Sequence, residues 1–315
     1  MAAGALTTCT PTSHGSAASE LGVVRTTAEL ESVVDEPGPV TVETVIGADW
    51  EVDRSGLVNL KHPEAKAAKL TDGPEPIIIP FHAIRHPRYG LYIVDTGVER
   101  ALRDDPQHAA LSGIAARFMG VDKIHVRTDT RSWLEAQKEP LRGVFLTHLH
   151  LDHVSGMRDV PDDAHVYTGP GESRDTGALN AFVRRPTDAA LAGKGALQEW
   201  QFGADESQGA ARDGAFAGVV DVFGDRTVWA IHVPGHTAGS TAYLARTPAG
   251  PVLFTGDACH TAWGWEHGVE PGTFSVDRPR SADSLARLRA FVARHPRVDV
   301  RPGHQLLARP IAASP

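Results

Sequence analysis

The stretch Thr147-His148-Leu149-His150-Leu151-Asp152-His153 puts three histidines and an aspartate into six consecutive positions. The apolar run Val144-Phe145-Leu146 just before it reads as a buried strand, so these polar groups fall where a strand gives way to a loop. Neutral imidazole and carboxylate are the usual ligands of zinc and related divalent ions. Four of them in one segment exceed what a single ion takes, which implies two neighbouring ions. Further candidate ligands downstream lie at other strand ends, so the fold must gather several strand ends in one place.

Three such positions follow apolar strands in the second half. His236 lies in Val233-Pro234-Gly235-His236-Thr237-Ala238-Gly239-Ser240, Asp257 follows Val252-Leu253-Phe254-Thr255-Gly256, and His304 ends Val300-Arg301-Pro302-Gly303-His304. Each is preceded by glycine, which lets the backbone turn tightly and approach a ligand closely. A lone Gly-His pair is an ordinary loop feature, but beside the 148–153 cluster the three become candidate ligands.

The rest of the chain supplies a frame for them. Val40–Ile46 alternates as a half-buried strand, and 76–84 and 90–94 flank a His86-Pro87-Arg88-Tyr89 turn as a hairpin ending at Asp95. Helical patterns fill roughly 105–118 and 131–137, and helical or loop sequence covers roughly 171–212. Strands follow at Thr227–Val233, Ser240–Arg246 and Val252–Thr255, then a helix at Ala282–Arg294 and a strand at Val298–Arg301. Blocks of strands followed by helices in both halves predict two packed sheets with helices outside. Residues 1–38, rich in Ala, Ser, Thr and Gly, read as a flexible N-terminal segment with a short helix near Thr27–Val34, and 39–315 as one domain.

Composition narrows the partners. With 315 residues, 41% hydrophobic and 22% charged, the chain has the make-up of a soluble globular protein. A net charge of -8 argues against nucleic acid, and no apolar run reaches the length of a transmembrane helix. Two cysteines, Cys9 and Cys259, are too few for a disulfide framework to organise the fold. The chain reads as cytoplasmic as it stands. The alternative is an extracytoplasmic lipoprotein, if Leu6-Thr7-Thr8-Cys9 ends a truncated signal sequence.

The order His148-x-His150-x-Asp152-His153, then His236, Asp257 and His304, resembles the metallo-β-lactamase superfamily of dinuclear hydrolases over roughly residues 40 to 310. The resemblance implies a four-layer αββα sandwich of two mixed β-sheets with helices on both outer faces. It assigns His148, His150 and His236 to one metal ion, Asp152, His153 and His304 to a second, and Asp257 to both. Asp95 matches an early aspartate that orients the metal-binding loop. Two divalent ions are implied, zinc first, with manganese, cobalt or iron as alternatives. Ions about 3.5–4 Å apart can share a hydroxide, a nucleophile that needs no serine or cysteine. Asp152 could also receive a proton, and His260, leaving the site in Asp257-Ala258-Cys259-His260, could touch substrate.

Within the superfamily, Val94-Asp95-Thr96-Gly97, Ala258 and Arg301-Pro302-Gly303-His304-Gln305 look most like the acyl-homoserine-lactonase branch. The expected reaction is therefore opening of a lactone or related carboxylic ester by a metal-bridging hydroxide. The runner-up is a phosphotriesterase of the methyl-parathion-hydrolase type, with glyoxalase II-type thioesterase, β-lactamase and non-catalytic metal scaffold behind it. A β-lactamase would use cysteine where Asp257 stands, so Cys259 reads as a buried apolar residue. Trp263 and Trp265, in a loop dense in aromatics and glycine, are candidates for a substrate wall, and Tyr167 for a substrate-contacting tyrosine. The sequence leaves homodimerisation open.

Overall fold

The computed structural model describes residues 10–176, 180–203 and 216–307. Its strands in chain order begin with β1 (Ser16–Ala18), β2 (Val23–Arg25), β3 (Thr41–Asp53), β4 (Pro74–His86), β5 (Gly90–Val94), β6 (His125–Val126) and β7 (Leu141–Phe145). The second half adds β8 (His165–Thr168), β9 (Leu197–Glu199), β10 (Val219–Asp221), β11 (Val228–His232), β12 (Thr241–Thr247), β13 (Gly250–Gly256) and β14 (Asp299–Pro302). They form two sheets, ordered β1-β9-β8-β7-β5-β4-β3-β6 and β14-β13-β12-β11-β10-β2. Both are mixed: β5, β7, β8 and β9 run parallel in the first, as do β13 and β14 in the second.

Period-two alternation explains how these strands stack into layers. In β5, Tyr92 and Val94 face the other sheet while Leu91 and Ile93 face outward. In β12, Tyr243 and Ala245 face inward while Ala242 and Leu244 face out. Aromatic rings fill the space between the sheets, with Phe145 stacked on Tyr92 at 4.8 Å and on Tyr243 at 5.5 Å. The outer face of the first sheet carries apolar residues from helical segments such as Gly113–Met119, Thr130–Glu135 and Leu151–Val154. That of the second is covered by Thr27–Glu31 and Arg278–Arg294, which bury Leu30, Leu288 and Phe291. The result is the expected four-layer sandwich.

Three expectations change. Residues 16–18 and 23–25 are not a loose tail: β1 pairs with β9 at the edge of one sheet, and β2 pairs with β10 at the edge of the other. Asp188 anchors the lead-in by accepting hydrogen bonds from Thr12 Oγ1, Ser13 N and Ser13 Oγ. Within the expected helical or loop stretch, β9 extends the first sheet beyond β8. Trp263 and Trp265 lie on a helix, Ala262–His267, capped by the Thr261 side chain and closed by Gly268 (φ 68°). Cys9 lies outside the described residues. No helix among the described residues is long and apolar enough to cross a membrane.

Candidate metal centre

All the candidate ligands leave strand ends. The 148–153 turn follows β7, His236 follows β11, Asp257 follows β13, and His304 follows β14. The parallel register of β13 with β14 sets Gly256 beside Pro302, which brings Asp257 next to His304. Parallel pairing of β5 with β7 sets Val94 beside Phe145, which brings Asp95 under Thr147.

The side chains converge in two groups, His148, His150, His236 and Asp257, then Asp152, His153, His304 and Asp257. Asp257 gives one oxygen to each. Its Oδ2 lies 3.6 Å from His148 Nε2 and 3.3 Å from His236 Nε2. Its Oδ1 lies 3.3 Å from both His153 Nε2 and His304 Nε2. Asp152 Oδ2 approaches His304 Nε2 at 3.3 Å and His153 Nε2 at 3.8 Å. His150 Nδ1 faces His236 Nε2 at 2.8 Å, as two nitrogens aimed at one cation would.

The centre fits divalent ions on its own terms. His148 Nε2, His153 Nε2 and Asp257 Oδ1 are buried without a hydrogen-bond partner. An orphaned buried polar atom is costly, and three around one point are explained by cations they are shaped to hold. The other ring nitrogens are spoken for. His153 Nδ1 donates to Asp95 Oδ2 at 2.8 Å, His304 Nδ1 donates to Ile78 O at 2.9 Å, and His148 Nδ1 meets Thr147 Oγ1 at 3.1 Å. Holding Nδ1 in this way turns each Nε2 lone pair toward the centre.

Charge follows the same division. Burial, with His153 and His150 beside it, holds His148 well below the usual histidine range, and burial also lowers His236. Burial pushes His153 down too, but Asp257, Asp95 and Asp152 outweigh it and raise His153 well above that range. His304 is raised against burial by Asp257 and Asp152. Burial raises Asp257, yet the surrounding histidines, His260 first, hold it well below the ordinary carboxylate value.

Asp95 lies against the 148–153 turn and hydrogen-bonds to Thr147 and His153. It adopts a left-handed backbone (φ 58°), uncommon outside glycine, while Oδ1 accepts from Thr147 N at 2.8 Å and Oδ2 from His153. His260 is buried at the centre, with Nδ1 donating to Leu57 O at 3.0 Å and Nε2 2.9 Å from Asp257 Oδ2. Cys259 is buried, its thiol pushed up to about 12 by burial, and it donates to Thr261 O rather than joining either group.

A cavity of about 510 Å³ opens above the ligands, floored by His150, Asp152, His236, Asp257 and His304. Trp50, Leu57, Ile77, Met119, Phe182 and Phe274 supply most of its apolar wall. The three aromatic candidates lie elsewhere. Tyr167 stacks on Trp200 at 4.9 Å between the sheets, with burial pushing its hydroxyl up to about 12. Trp263 stacks on His267 at 4.2 Å, and Trp265 packs against the core beneath the Arg278–Arg294 helix. Neither tryptophan lines the cavity, because the helix turns both toward the body of the protein.

Sequence reasoning missed the true wall and one carboxylate. Glu172 is buried and accepts from Leu149 N at 2.9 Å, Thr237 Oγ1 at 2.8 Å and Gly239 N at 2.9 Å. The Thr-x-Gly that follows His236 was its available signal, since both residues donate to it.

A family profile described as the metallo-β-lactamase superfamily matches residues 84–304. The N-acyl homoserine lactonase AttM of Agrobacterium fabrum is 28% identical over 248 residues, covering 77% of this chain and 88% of AttM. A crystallised quorum-quenching N-acyl homoserine lactone lactonase superposes with a TM-score of 0.60 at 16% identity, covering 86% of this chain and 94% of its own. AidC, a dizinc quorum-quenching lactonase, superposes with a TM-score of 0.51 at 12% identity, covering 91% of this chain and 92% of AidC.

Proposed function

The chain belongs to the metallo-β-lactamase superfamily, and from that premise we propose that it is a dinuclear metal-dependent hydrolase that opens N-acyl homoserine lactones. The observation carrying this reading is the joining of a two-ion ligand set to an apolar cavity of about 510 Å³. That volume falls within the roughly 300–1,000 Å³ of small-molecule sites, and an apolar wall suits an acyl chain while the polar floor meets the ring. Similarity to AttM, whose name states this activity, supports the choice of substrate.

His148, His150 and His236 would hold one ion, Asp152, His153 and His304 the other, and Asp257 both. The imidazole and carboxylate donors suit zinc first. When bound, the ion pair supplies Lewis acidity to a carbonyl oxygen and makes water nucleophilic near neutral pH. The remaining work belongs to the chain. The apolar wall binds the acyl group and displaces water from the floor. Asp152, which meets both neighbouring histidines through Oδ2, would use Oδ1 to take the proton lost by the attacking water and return it to the ring oxygen as the acyl C–O bond breaks. His260, held by Leu57 O, presses against Asp257 and fixes the carboxylate plane that serves both groups.

The test is a rate panel on metal-replete protein: N-acyl homoserine lactones of increasing chain length, simple γ- and δ-lactones, an aryl ester, a thioester and a phosphotriester. The expected result is a kcat/KM for medium- or long-chain acyl lactones at least about tenfold above every other class, equivalent to about 1.4 kcal/mol of transition-state binding. A phosphotriester turned over faster than any lactone would replace this reading with the phosphotriesterase one.

A further inference from the structure

Glu172 is a buried carboxylate that belongs to neither ligand group. It follows Gly171 (φ 73°) in the turn after β8, and its three hydrogen bonds come from two different loops. Leu149, which donates to Oε1, lies between His148 and His150. Thr237 and Gly239, which donate to Oε2, lie just after His236. Those three histidines are the nitrogen ligands of a single ion group. The approach is built to be close. A Cβ on Gly169 would collide with the Gly239 carbonyl, and a Cβ on Gly239 would fall 2.8 Å from Glu172 Oε2.

The other ion group is oriented by different residues. His153 is held by Asp95 at Nδ1 and by Thr96, whose N and Oγ1 donate to its carbonyl. His304 is held by Ile78 O, and its backbone N donates to His260 O at 2.9 Å.

We infer that Glu172 is the positioning residue of the three-histidine ion, tying the His148–His150 turn to the His236 loop and so setting the spacing of their ligand nitrogens. This inference rests on the two-ion reading of the centre but not on the choice of substrate. Its chemistry is that of neighbouring groups that orient metal ligands, whose loss typically costs about 10- to 100-fold in metal affinity.

Metal-stripped protein titrated with zinc against a chromophoric chelator gives two stepwise affinities. Glu172→Ala should weaken one of them by about 10- to 100-fold and leave the other within about twofold. On a His304→Ala background the substitution should still weaken the remaining ion, whereas on a His236→Ala background it should add nothing. Thr237→Val removes a single donor and should weaken the same ion by about fivefold, with Thr237→Ser restoring it; this pair keeps the test decisive if Glu172→Ala fails to fold. Unchanged affinities in these variants, or an equal loss at both ions with a lowered thermal midpoint of metal-free protein, would overturn the inference. Two tightly held ions without lactone turnover would sink the substrate reading and leave this one intact.

Discussion

Asp257 sends one carboxylate oxygen to each ion group, so its removal should not act on one ion alone. Asp257→Ala is expected to lower zinc content from two ions per chain and to cut kcat by at least about a hundredfold; a variant with full metal and full rate would refute the shared-ligand assignment. Proton competition gives a second expectation. His153 and His304 are raised above 6.5 in the metal-free chain, so they still carry protons in the window above that value and metal must displace them. Apparent zinc affinity should therefore climb as pH rises above 6.5, with proton release on loading. A flat profile by chelator competition would contradict it. The candidate ligands were legible because each segment that carries them follows the end of a strand, β7, β11, β13 or β14, and glycine directly precedes His236, Asp257 and His304. Glu172 was not, because its role exists only where β8 meets the loop after β11.

The helix Ala262–His267 shows how an element can mislead. Two tryptophans among glycines read as a loop forming a substrate wall, yet Thr261 caps a short helix whose Gly264 is tightly surrounded, a Cβ there falling 3.0 Å from both Thr261 Oγ1 and Val269 O. Trp265→Ala should thus lower the thermal midpoint by several degrees while leaving acyl-chain preference unchanged, which a melting curve and a chain-length series would check together. The wall instead comes from β3 and its surroundings, where the strand runs on to Asp53 past the expected end at Ile46 and carries Trp50 and Val52 to the cavity. Leu57→Ala should lower kcat/KM for long-chain acyl lactones by about 1–2 kcal/mol, roughly 5- to 30-fold, and barely touch unsubstituted lactones. Equal losses on both would remove the acyl-wall role. Alternating apolar residues announced where β3 begins, but its continuation is fixed by pairing with β4 across a shift between Ile46 and Ala48, which no local pattern reveals.

At the scale of the whole molecule, the two sheets bring distant strand ends to one point, and the N-terminal stretch binds both. Strands β1 and β2 are three residues each, too short for a periodic signal, and their pairing partners lie far along the chain. Removing residues 1–25 should expose the edges of β9 and β10 and lower the thermal midpoint, each lost kcal/mol shifting it by about 2–4 °C; an unchanged midpoint would mean these strands are ornaments. The layer order was readable from strand and helix blocks, whereas the sheet edges came from tertiary pairing alone. The account stands or falls on two ions working as a unit. Stripped protein should be inert toward an N-acyl homoserine lactone and regain its rate as zinc is added, reaching a plateau at two ions per chain. Turnover by the metal-free chain, or a plateau at one ion, would contradict it.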